Sequence, residues 1–234
     1  MPAPANLNIS NELSRNEYRL ARIYIVAAAM TLIALGQLTA FRIVDMTECV
    51  PMPSFMWLVI AMVCKCLLIF MELFDKFPVN WTLGFVAVES MTLCVGSYYW
   101  PKMERFHTVI VVFIVIGTNF CLYLMGTFLP VFILPSYNFM LVLTIVFVIV
   151  YIFLIILLHS LSMRMIFVLA IEIWTILYLI PLMLYASTLI QQRRLVNMMS
   201  QEYMLSATII TTMFLYMLHV VTSIVLEGVK GTLS

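Results

Sequence analysis

Four side chains able to hold charge or move a proton sit deep in otherwise apolar surroundings: Lys65, Glu89, Glu172 and His219. An ionisable group at bilayer depth costs about 2.5–3.5 kcal/mol on insertion scales, so each needs a partner, a water-filled cavity or a neutral state. A carboxylate beside an amine or imidazole there serves one of two chemistries. It is a structural pair that fixes helix register, or it is a step on an ion or proton path. Pairing follows from depth. Lys65 and Glu89 are about equally far from a turn near Lys76, and Glu172 and His219 are about equally far from a turn near residue 195. At about 1.5 Å rise per residue, each couple shares a level, so two buried pairs are expected, Lys65 with Glu89 and Glu172 with His219.

No enzyme chemistry accompanies them. The chain has no HExxH, GxSxG, phosphate-binding loop or paired aspartates, so it reads as a non-enzyme with no resident cofactor and no protein-bound metal. His107 and His159 fall at the edges of apolar blocks, where an interfacial role is expected. Of the five cysteines, Cys64, Cys66, Cys94 and Cys121 lie inside apolar blocks and Cys49 outside, with no CxxC, which suits packing rather than redox work. Twelve basic and eleven acidic residues almost cancel, leaving no basic stripe for nucleic acid.

The elements that must position these groups are helices in a bilayer. Apolar residues make up 65% of the chain and gather in blocks at 21–41, 54–72, 79–100, 107–127, 137–158, 164–186 and 203–226. A hydrocarbon core of about 30 Å takes about 20 apolar residues per helical span. The reading is an all-α polytopic membrane protein, a seven-transmembrane-helix bundle over 21–226, with tails at 1–20 and 227–234. Its first partner is the lipid bilayer. Pro181 falls inside the sixth span as a hinge or a static bend. Pro130 and Pro135 bracket an apolar connector expected at the interface. There is no GxxxG, so helix contacts are expected to rest on Ala, Ser and Thr. Arg15, Arg19 and Arg22 beside the first span predict a cytosolic N-terminus, which leaves the sequons at Asn8 and Asn80 unused.

Three stretches together resemble the Lifeguard, or Bax-inhibitor, family of seven-span proteins. Arg19-Leu20-Ala21-Arg22-Ile23-Tyr24-Ile25 through Gln37-Leu38-Thr39 resembles the family's opening span with its QLxxT ending. Phe77-Pro78-Val79-Asn80 followed by Gly84-Phe85-Val86-Ala87-Val88-Glu89-Ser90 resembles its P-x-N entry and GFTxxE run. Leu184-Tyr185-Ala186-Ser187-Thr188-Leu189-Ile190, then Glu202-Tyr203, is similar to its YDTQLI motif and tyrosine-rich last span. The resemblance implies a fold of the Bax-inhibitor type in a Golgi or endoplasmic reticulum membrane. It implies a role in modulating calcium leak and restraining apoptosis, with calcium as the transported ion and other membrane proteins of those pathways as partners. It also implies a departure. The family's two gating aspartates match Ala186 and Met213 here, and neither can titrate. The usual pH gate is expected to be altered or lost, leaving His219 as the histidine inside a span that can respond near neutrality. A non-conducting interaction protein and an unrelated small transporter are the rival expectations.

Overall fold

The computed structural model describes residues 5–44, 53–70, 78–98, 100, 103–130, 133–160, 164–191 and 203–233. They form seven helices, α1 (Ala5–Val44), α2 (Ser54–Phe70), α3 (Val79–Tyr98), α4 (Arg105–Phe128), α5 (Tyr137–Ser160), α6 (Arg164–Gln191) and α7 (Tyr203–Leu233). Six contain segments long and apolar enough to cross a membrane: Leu20–Ile43, Val79–Ser97, Arg105–Gly126, Tyr137–Ser160, Met165–Ile190 and Tyr203–Gly228. The architecture is that of a multi-pass helical membrane protein. α2 is the exception, because its described apolar segment, Met56–Leu68, is shorter than a full span. The predicted block ran on to residue 72, and residues 71–77 lie outside the described ones. The polar stretch before residue 20, expected as a short tail, is helical from Ala5. No Pro or Gly interrupts 5–35, and adding a turn to a formed helix avoids the cost of nucleation.

Helix ends follow local chemistry. Ser136 caps α5, its hydroxyl accepting from the Phe139 amide at 3.3 Å. α4 stops at Phe128 because Pro130 disfavours helical backbone in the residue before it. The expected interfacial connector begins as a tight turn closed by the Ile133 amide on the Pro130 carbonyl at 3.0 Å, with Leu134 buried; residues 131 and 132 lie outside the described ones.

α7 is the axis of the bundle. It packs against α1, α3, α4 and α6 and also touches α2. Lipid tails are as apolar as leucine, so close packing and interhelical hydrogen bonds hold spans together rather than the hydrophobic effect. The buried face of α7 is accordingly rich in small residues: Ser206, Ala207, Thr208, Thr211, Thr212 and Ser223. The Thr211 hydroxyl donates to the Ala27 carbonyl of α1 at 3.2 Å. Glycines allow further close approaches, among them Gly96 of α3 against the Phe41 ring of α1. A Cβ on Gly84 of α3 would come within 2.7 Å of the Met204 and Thr208 side chains, and one on Gly126 of α4 within 2.8 Å of the Ser187 Cβ. Isolated glycines therefore add to the small-residue contacts expected from Ala, Ser and Thr.

α2 lies outside α3, and α5 lies outside α6. Along α5 Met140 is the buried residue, while Val142, Ile149 and Phe153 are more than half exposed. A helix apolar all round fits a lipid-facing position. A ring clasp secures it to α6. Phe147 stacks on Tyr178 with centroids 4.2 Å apart and on Trp174 at 6.5 Å, while the Thr144 and Tyr178 hydroxyls meet at 3.1 Å.

Candidate functional site

Glu89 occupies the middle of α3 between buried Val88 and Ser90. Both of its carboxylate oxygens accept from the Gln37 Nε2 of α1, each at 2.9 Å. Gln37 Oε1 is buried and has no hydrogen-bond partner among the described residues. The expected partner, Lys65, is not there. Among the described residues no salt bridge involves Lys65 or Glu89; one joins His107 Nδ1 to Glu104 Oε2 at 3.3 Å. Depth fixes the level of a residue but not its direction around the helix. α2 buries Ala61, Cys64 and Leu68, and Lys65 stands one step, about 100°, around from Cys64 on a half-buried flank.

Glu172 of α6 accepts at Oε1 from the Ser223 hydroxyl of α7, at 2.8 Å. Ser223 stands one turn beyond His219 on the same helix face. His219 is half-buried. Tyr151 of α5 and Tyr216 of α7 lie near Glu172. α6 remains helical across Pro181. A proline there leaves the carbonyl four residues back without its helical donor, a local weakness rather than a break.

Ala186 and Met213 are both half-buried, and Met213 packs against the main core. Extending the Glu172–Ser223 level along the antiparallel helices places Ala186 level with Ile209, one turn or about 6 Å from Met213. Beside Ala186, the Ser187 hydroxyl donates to the Tyr123 carbonyl of α4 at 3.3 Å, and buried Thr188 bonds back to the Leu184 carbonyl at 2.8 Å. Ala186 and Met213 contribute a methyl group and a thioether, neither of which can titrate.

The four described cysteines are free, Cys64 and Cys94 buried, Cys66 and Cys121 exposed. Among the described residues no group of three His, Cys, Asp or Glu side chains is placed to hold a metal ion. The arrangement instead offers two carboxylates inside the bundle, each held by one uncharged donor from a neighbouring helix. Such a group can carry a proton or neutralise a passing cation, and it can equally lock two helices in register. Gln37 and Ser223 were not singled out in the sequence. The available signal was a polar residue on another span at the carboxylate's level. No family model, no curated protein and no solved structure matches the chain.

Proposed function

We propose that the chain is a divergent Lifeguard-type seven-span membrane protein of the endoplasmic reticulum or Golgi, which modulates calcium leak and so restrains cell death. Its leak lacks the carboxylate gate of that family. One observation carries the reading. Gln37 and Glu89 belong to two different stretches that resemble the family, 52 residues apart, and they meet in one contact at 2.9 Å. Three features add support: the central position of α7, the run of Ser and Thr along it, and the carboxylate of Glu172 at one end of that run. In this reading Glu172, held by Ser223 where α6 meets α7, supplies the negative charge that attracts a cation.

A second reading is favoured by Ala186 and Met213, which close the seam with apolar groups. On that reading the protein keeps the fold, conducts nothing and binds other membrane proteins. Calcium-loaded liposomes containing the purified chain separate the two. Efflux above protein-free liposomes that falls in Glu172→Gln is expected from the first reading. Absence of efflux with correctly folded protein selects the second.

A further inference from the structure

A groove of about 740 Å³ opens between the end of α1 and the start of α4, away from both carboxylates. Its composition changes along its length. At the end nearest the membrane surface stand Arg42, Arg105 and Thr108; deeper in lie Leu35, Val112 and Phe113. Arg105 to Phe113 spans eight residues, about 12 Å of helix, roughly the outer part of an acyl chain.

The cationic end is built rather than incidental. Arg42 is half-buried and anchored twice, donating to the Thr108 Oγ1 and to the Met103 carbonyl. A guanidinium has five N–H donors, so three stay available to a ligand. The Trp100 indole, which also lines the groove, donates to the Leu38 carbonyl at 2.9 Å and fixes that wall. Arg105 is exposed at the first turn of α4. Among the described residues neither arginine has an acidic partner. The nearest carboxylate in sequence, Glu104, is exposed and engages His107 instead. Asp45, Glu48 and Lys102 lie outside the described residues.

Two guanidinium groups without an acidic partner among the described residues, set over an apolar trough, match an amphiphile with an anionic head. We propose that the α1–α4 groove binds an anionic phospholipid, its phosphate held by Arg42 and Arg105 and one acyl chain lying toward Leu35 and Phe113. A phosphate accepts several guanidinium bonds at once, which suits a groove with two arginines at its mouth. This site is independent of any role of Glu89 or Glu172.

The test is native mass spectrometry of the full chain in mild detergent, titrated with phosphatidylglycerol, with phosphatidylcholine of the same chains, and with inorganic phosphate as competitor. Phosphatidylglycerol should bind more tightly than phosphatidylcholine. Arg105→Gln should weaken it about fivefold, and Arg42→Gln with Arg105→Gln about 25-fold. Arg105→Lys should restore most of the single loss, and inorganic phosphate should displace nothing. Arg105 is exposed, so its variants keep the test valid even if Arg42→Gln fails to fold. Equal binding of the two lipids, an Arg105→Gln protein that binds like wild type, or displacement by inorganic phosphate would each overturn the assignment.

Discussion

Replacing Gln37 by Leu removes the donor that both oxygens of Glu89 share, at 2.9 Å each. The two distances arise from one nitrogen, so they count as one interaction. Interhelical hydrogen bonds inside membranes average about 0.6 kcal/mol and reach about 1.7 kcal/mol. A bond to a charged acceptor belongs at the upper end, about 1.5 kcal/mol or more. Gln37→Leu alone should therefore destabilise the protein by about 1.5–3 kcal/mol, because a half-buried carboxylate loses its donor. Glu89→Leu alone leaves an amide unmatched and should cost about 1 kcal/mol. The double change removes both polar groups, and its cost should fall short of the sum by about 1.5 kcal/mol. Glu89→Gln keeps an amide-to-amide bond and should lose least. The assay is equilibrium unfolding in micelles by steric trapping. A control cycle of Lys65→Met with Glu89→Leu should be additive, since no ion pair joins them among the described residues. Additivity of the Gln37–Glu89 cycle within about 0.3–0.5 kcal/mol would refute the coupling, and strong coupling of Lys65 to Glu89 would refute the geometry.

Other outcomes follow from the packing. Gly126→Val should cost about 1–3 kcal/mol by driving a side chain into Ser187, whereas Gly117→Val in the same helix, with open space around it, should be nearly neutral in the same unfolding assay. Tyr178→Phe should lose only the contact with Thr144, about 0.5–1.5 kcal/mol, while Phe147→Leu should cost more because it removes ring contacts with Tyr151, Trp174 and Tyr178. Arg15, Arg19 and Arg22, in the N-terminal half of α1, predict that Asn8 stays unglycosylated in cells; a glycosidase-sensitive mass shift that disappears in Asn8→Gln would reverse the orientation.

Helix positions were legible because bilayer thickness imposes a length on every span. The reading at 137–158 falls within α5, Tyr137–Ser160. Partners were not legible, for a geometric reason. Lys65 and Glu89 were matched by level, and level contains no information about direction around the axis. Direction depends on which face meets which neighbour: α3 packs against α2, α1 and α7, and Glu89 turns to α1 rather than to α2. For Glu172 the structure supplies a donor, Ser223, one turn along α7 from the His219 matched to it by level. The α5–α6 clasp carried an unused signal, aromatic residues at 147 and 151 and at 174 and 178, each four apart and thus on one face of its helix. Glycine contacts were missed because a pattern such as GxxxG marks only repeated close approach, and Gly84 and Gly126 each act alone.

The most direct test of the proposed leak without a carboxylate gate is calcium efflux from liposomes across a pH series. It compares wild type, His219→Phe and the pair Ala186→Asp with Met213→Asp. Wild type should show a slow protein-dependent efflux with no acid-controlled switch, and any residual pH response should vanish in His219→Phe. The paired aspartates, within about one helical turn of each other, should create a switch that neither residue supports now. Efflux from folded wild-type protein that is switched by acid, and stays switched in His219→Phe, would contradict the account, as would no efflux at all.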